Sequence, residues 1–275
     1  FVLQTSQARP FVARHEASVD DVDTAIQVLA VHDPRRAVRM AARGWRIASF
    51  SNCRERALLR LQALLDAHGD ELDVETLTMA EGAMGALLLR DHRPLEAYDV
   101  LIETVAQLRA SGRVHGLAES LQDLAIAATR IGKAGEAHAL LREAADLARE
   151  RSEPWTLGWV LVNHGHVYAM EDAHREAVDH YVQASRFLQG YVDPTSRMAT
   201  HLSVIRSGVV VNAATAVTDA VASLRAMFDH GEVSADRSGL ELPFLAAIEA
   251  AGHHGFTTAA SSLTDLLERH RADAP

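Results

Sequence analysis

A single cysteine, Cys53, occurs in 275 residues, so the chain can form no internal disulfide and no cysteine-based structural zinc site. One thiol fits a reducing cytoplasm. Aromatic residues are scarce at 5%, while 48% of the chain is apolar, and the surplus is Ala and Leu, a helical composition. Long hydrophobic runs are missing too: the Val209–Val211 patch is interrupted by Arg206 and Asn212, and no secretory-signal pattern stands in the opening residues. No stretch has the period-two alternation and turn punctuation of a strand. HExxH, GxSxG and a glycine-rich phosphate loop are absent, and Gly132-Lys133 has neither the preceding glycine spacing nor the Ser/Thr such a loop needs. The net charge of −10 argues against an extended nucleic-acid surface, which calls for a basic face. The reading is therefore of a non-catalytic cytoplasmic chain with no cofactor, no membrane contact and no direct nucleic-acid contact.

The 15 histidines do not change this. His164 and His166, two apart on a helix, point about 200° from one another and cannot chelate one metal. His253-His254 sits in a glycine-flanked turn, and His174 and His180 read as exposed. Structural or solvated roles are expected for them, and no metal site.

What the chain does have is a repeat. In Leu161–Ala184 the residues Gly165, Tyr168, Ala177, Tyr181 and Ala184 form Gly-x2-Tyr followed by Ala-x3-Tyr-x2-Ala. The pattern resembles the tetratricopeptide unit, an antiparallel helix pair in which a small residue on the first helix admits the second; His164 stands where a leucine is usual. Forty residues earlier the same slots hold Ala125, Ala128, Ala137, Leu141 and Ala144; before them come Gly85, Leu88, Ala97, Leu101 and Thr104, then Trp45, Ala48, Ala57, Leu61 and Leu64. Forward of Gly165 the register drifts by three, to Gly208, Val211, Ala220, Leu224 and Met227, and a degenerate pair follows at Ala247, Ala259, Leu263 and Leu266. The period of about 40 exceeds the tetratricopeptide 34.

The expected fold is all-α, a right-handed α-α superhelix of tetratricopeptide-like helix pairs. Residues 1–17, broken by Pro10, read as a connecting arm, and 18–275 as the repeat domain, with pairs near 34–68, 74–110, 117–151, 154–189, 194–230 and 239–271. The start at Phe1 rather than Met suggests a piece of a longer protein.

The tetratricopeptide resemblance implies that the first helix of each pair lines a concave inner face, with fixed offsets from the small residue turned inward. Those offsets select Arg39, Arg43, Arg46, Arg90, Gln122, Asp123, Arg130, Trp159, Asn163, His166, Arg206 and Asn212 as a ligand- or peptide-binding groove. Arg39, Arg43 and Arg46 share one helical face. They can grip carboxylates or phosphates, or else pair with acids on a neighbouring helix. Trp159 is either a stacking platform for a ligand or a packing residue.

The stretch Asp20–Leu65 resembles the point where the signal-transduction ATPases with numerous domains, including actinobacterial LuxR-type and antibiotic-regulatory transcription factors, pass into their tetratricopeptide sensor. Ala37-Val38-Arg39-Met40-Ala41-Ala42 and Trp45 carry the likeness; Asp23-Thr24-Ala25-Ile26 replaces an Asn-Leu-Arg core, and Asn52 replaces the glycine before the second helix. The resemblance implies an effector-sensing or protein-interaction arm. A peptide, a protein partner or a small-molecule effector would bind in the concave groove, and an ATPase module would lie in the same full-length chain. A stand-alone tetratricopeptide adaptor is the alternative. The carboxylate clamp of chaperone adaptors is not matched, since Asn163 and Arg206 fill two of its positions but no lysine fills the others.

Overall fold

A computed structural model describes residues 16–49, 54–112, 116–189, 194–232 and 240–272. Among them are thirteen α-helices and no strand. They are α1 (Glu16–His32), α2 (Pro34–Ser49), α3 (Arg54–His68), α4 (Val74–Arg90), α5 (Pro94–Ala110), α6 (Leu117–Arg130) and α7 (Ala134–Glu150), then α8 (Pro154–Met170), α9 (His174–Leu188), α10 (Pro194–Val210), α11 (Ala214–Asp229), α12 (Glu241–His253) and α13 (Thr257–Ala272). The fold is the expected all-helical repeat of tetratricopeptide-like pairs. Residues 1–15 of the connecting arm, the Ser51-Asn52 turn and the side chain of Arg46 lie outside the described residues. The described chain divides into two compact units, one running to Leu147 and one from Ala148 onward.

The period is written in the helix starts. The second helices of successive pairs begin at Arg54, Pro94, Ala134, His174 and Ala214, each 40 residues after the last. Proline opens α2, α5, α8 and α10, where its missing N–H would have no intrahelical partner. Asp73 opens α4 by accepting the Thr76 amide at 2.8 Å.

The first helices α4, α6, α8 and α10 end in the same way. His92, Gly132, Asp172 and Asn212 all adopt positive φ, between 54° and 83°. The next amide then reaches back five residues: Arg93 to the Leu88 carbonyl at 3.0 Å, Lys133 to Ala128 at 2.8 Å, Ala173 to Tyr168 at 2.9 Å and Ala213 to Gly208 at 2.8 Å. This left-handed cap turns the chain tightly into the second helix. Only one of the four positions is glycine, the residue for which such a φ carries no steric cost.

Close approach inside a pair depends on the small residue. A Cβ placed on Gly85 would stand 2.5 Å from Leu101, and one on Gly165 would stand 2.6 Å from the Tyr181 ring. Both match the register of the repeat. The expected drift at Gly208 is corrected: α10 and α11 keep the 40-residue spacing, so Ile205 takes the Gly165 slot and Gly208 instead faces Val217. The shift falls one pair later, with α13 starting at Thr257, 43 residues after Ala214.

In the N-terminal unit, successive pairs are tied by polar contacts as well as by core. The Tyr98 hydroxyl donates to Glu136 at 2.8 Å, Arg109 pairs with Glu143, and Arg54 donates to the Arg90 carbonyl at 3.0 Å. Leu61, Leu101 and Leu141, one from the second helix of each successive pair, are fully buried.

Candidate functional site

The groove residues selected by the repeat fall into two groups, one in each unit. In the N-terminal unit Arg39, Arg90 and Arg130 are engaged with the protein itself. Arg39 pairs with Glu75 at 3.3 Å, so the ion-pair reading of that residue holds. Arg90 lies over the Trp45 ring at 4.6 Å and donates to the Ala86 carbonyl at 2.9 Å. Arg130 donates to the Leu89 carbonyl, which caps the end of the preceding first helix. Gln122 is only 8% exposed and its amide donates to the Ala118 carbonyl at 3.4 Å, which withdraws it from any groove ligand. Arg43 is exposed and Asp123 half-buried.

In the C-terminal unit, Trp159, Asn163 and His166 share α8, and Arg206 projects from α10. Since Ile205 occupies the Gly165 slot, Arg206 is the register equivalent of His166, one pair further on. His166 is exposed at the surface, and its ring stands 5.4 Å from the Tyr181 ring. Burial, with the Arg206 charge adding to it, pushes its imidazole down to about 4. At neutral pH His166 is therefore an uncharged ring with one donor and one acceptor. Desolvation raises the Tyr181 hydroxyl well above its usual value, against the opposing pull of Arg206. Arg206 is exposed and makes no ion pair or hydrogen bond among the described residues. Trp159 is half-buried and meets Trp155 edge-on, centroids 5.7 Å apart.

Asn212 does not belong with them. It occupies the left-handed turn after α10, because the sequence register placed the drift one pair too early. The histidines also differ from the pattern-based reading. His164 is 6% exposed, and its ring lies 5.1 Å from Tyr168 and 4.6 Å from His180, with Tyr168 and His180 5.0 Å apart. His174 and His180 are half-buried rather than exposed. The leucine missing at position 164 is the signal that marks this three-ring cluster in the sequence. Among the described residues no group of three His, Cys, Asp or Glu side chains is placed to hold a metal, and no helix is long and apolar enough to cross a membrane.

A tetratricopeptide-like repeat chain with one self-paired and one open polar face is the class that fold and site define. No protein-family model and no curated protein sequence matches it. Solved structures do. The tetratricopeptide-repeat sensor protein of the signal transduction ATPase with numerous domains class from Pyrococcus horikoshii matches with a TM-score of 0.67 at 11% identity, over 95% of this chain and 41% of that one. The apo form of RapI matches with a TM-score of 0.66 at 10% identity, over 97% and 95% of the two chains. A Rap protein complexed with Competence and Sporulation Factor matches with a TM-score of 0.59 at 12% identity, over 95% and 73%. At these identities the similarity is one of fold.

Proposed function

We propose that the chain is a non-catalytic, cytoplasmic interaction arm that takes a peptide or small effector on the inward face of its first helices. We place it in a longer signal-transduction ATPase or transcriptional regulator with the ATPase module in the same full-length chain. The observation that carries the reading is the pair His166 and Arg206 at one register position of successive pairs. One is a neutral ring and the other an unpaired cation, and Trp159 and Asn163 stand on the same helix as His166. A neutral donor-acceptor ring, a planar cation and an indole edge supply the mixed polar and stacking contacts that hold an extended peptide. The proteins of similar fold add support, since one is described as a tetratricopeptide sensor on an ATPase and another was solved with a signalling factor bound. Ligand binding then acts by favouring one of two states of the array. Of the remaining candidates, Arg43 is the accessible addition in the N-terminal unit, and Arg39, Arg90, Asp123 and Arg130 would join only by exchanging their present partners.

Native mass spectrometry of the purified protein, before and after unfolding, tests this. A mass excess lost on unfolding is expected, and Arg206→Ala or His166→Ala should reduce its occupancy about tenfold, the loss of roughly 1.4 kcal/mol. A retained ligand indifferent to both substitutions would refute the assignment of this face. A clean mass would turn the reading toward an adaptor that docks another protein.

A further inference from the structure

A second polar cluster lies on a different face of the C-terminal unit, at two positions of α10 that hold buried leucines in α6 and α8. In α6 and α8 the positions eight and four before the small-residue slot are Leu117 and Leu121, then Leu157 and Leu161, all buried, whereas α2 has Ala37 and Ala41 and α4 has the half-buried Leu77 and Glu81. In α10 the same two positions are Arg197 and His201. A cation and an imidazole at these positions forgo the apolar burial that leucines gain there. Departures of this kind, where local chemistry contradicts the fold's own pattern, cluster at functional sites. Here the departure opens a cavity of about 220 Å³, walled by α9, α10 and the end of α11.

The cavity has a defined chemistry. Arg197, with only 18% of its side chain exposed, donates to the Gln189 carbonyl at 3.4 Å and pairs with Glu232, itself 44% exposed. Glu232 lies just beyond α11, after the left-handed Gly231, with its amide tied to the Met227 carbonyl at 2.9 Å. His201 has no hydrogen bond among the described residues. The Ser185 and Ser223 hydroxyls donate to carbonyls of their own helices, Val182 and Asp219, and so turn lone pairs toward the cavity. Arg197 and His201 stand 180° and about 140° around α10 from Arg206, so this cavity is not part of the inward face.

We propose that the Arg197–His201 cavity is a recognition pocket for a carboxylate that carries a neighbouring amide, as an acidic side chain or a chain terminus of a peptide does, and that Glu232 is its intramolecular competitor. The incoming carboxylate takes the guanidinium from Glu232 in the planar, two-bond geometry that favours arginine. Its amide N–H meets the hydroxyl lone pairs or the acceptor nitrogen of His201. The Glu232 carboxylate, nearly half exposed, moves into water at little cost.

Nuclear magnetic resonance of the full chain, following the His201 ring signals, tests the pocket with two probes. N-acetylglycine represents a chain terminus, and Nα-acetyl-aspartic acid α-amide represents an acidic side chain; the one that binds tighter identifies the source. A saturable shift is expected with at least one probe. Glu232→Gln, on the exposed side of the pair, should tighten binding roughly threefold or more, the scale of an exposed ion pair. Arg197→Gln should abolish binding, and His166→Ala should leave it unchanged. No saturable shift in wild type and Glu232→Gln would overturn the proposal, as would a Glu232→Gln protein that binds no tighter than wild type. Because the readout is independent of Arg206 and His166, its failure is distinguishable from failure of the inward-face reading.

Discussion

The two units share one repeat and use its polar positions differently. In the N-terminal unit three of the candidate arginines, Arg39, Arg90 and Arg130, bind a protein acid or helix-end carbonyls, as Arg39 does with Glu75 and Arg130 with the Leu89 carbonyl. In the C-terminal unit a different position of the repeat, one residue after the small slot, holds His166 and Arg206, of which Arg206 makes no ion pair or hydrogen bond among the described residues. The contrast teaches that a basic stripe on a repeat helix is not in itself a binding surface. What separates the two is whether an acid or an open helix end stands within reach on the next pair.

The hardest way to strain the comparison is to attack the packing both units share. Gly165→Ala puts a methyl 2.6 Å from the ring of Tyr181, which is 2% exposed and wedged by its neighbours. We expect a loss of about 2–3 kcal/mol, read as a lower urea midpoint. Gly85→Ala, against the more adaptable Leu101 side chain, should cost less, about 1–2 kcal/mol. Gly82→Ala meets Ser120 at 3.5 Å and Thr104 at 4.0 Å, ordinary contact distances, and should be neutral or stabilising, because alanine is the better helix former. If all three cost the same, the close-approach account of the pairs is wrong.

The next test separates the units by pH. Burial pushes His166 and His201 down to about 4, from an ordinary value of 6.5, with Arg206 and Arg197 adding to it. Each group binds its proton more readily unfolded than folded. Their contribution is therefore fully present above pH 6.5 and is lost as pH falls from 6.5 toward 4. Melting temperatures should drop from pH 7 to pH 5, and His166→Asn with His201→Asn should flatten that slope. An unchanged slope in the double variant would move the acid sensitivity elsewhere.

Surface charge gives a smaller contrast. Arg39→Ala removes a partly exposed ion pair with Glu75 and should lower stability by less than about 1 kcal/mol. Arg206→Ala removes a cation without a partner and should leave the melting temperature within error while weakening ligand retention. A stability loss at Arg206 that matched the one at Arg39 would erase the distinction between the faces.

Much of this was legible in the chain. The Gly85 and Gly165 slots and the period of about 40 depend on local spacing, which a sequence displays directly. The state of each polar head was not legible, because it depends on a partner a whole repeat away, as with Arg130 and Leu89, 41 residues apart. The register error at Gly208 had a related cause. A glycine there fits the small slot by composition, but helix phase is set by Pro194 and the turn at Asn212, and both hold the 40-residue count. The Arg197 and His201 cavity went unseen because attention to inward offsets passes over core positions.

The smallest effect tests that turn itself. His92, Asp172 and Asn212 hold φ between 54° and 59° where Gly132 holds 83°. A left-handed conformation costs a β-carbon-bearing residue roughly 1–2 kcal/mol, less for Asn and Asp, while glycine returns part of any gain through its freer unfolded chain. His92→Gly in the N-terminal unit should then stabilise by about 0.5–1 kcal/mol, and Asn212→Gly in the C-terminal unit by only a few tenths. Chemical denaturation resolves the order. If Asn212→Gly gained as much as His92→Gly, the side chain would contribute nothing to the left-handed turn. If Asn212→Gly lost stability, the Asn212 side chain would be holding a contact in the α10–α11 turn.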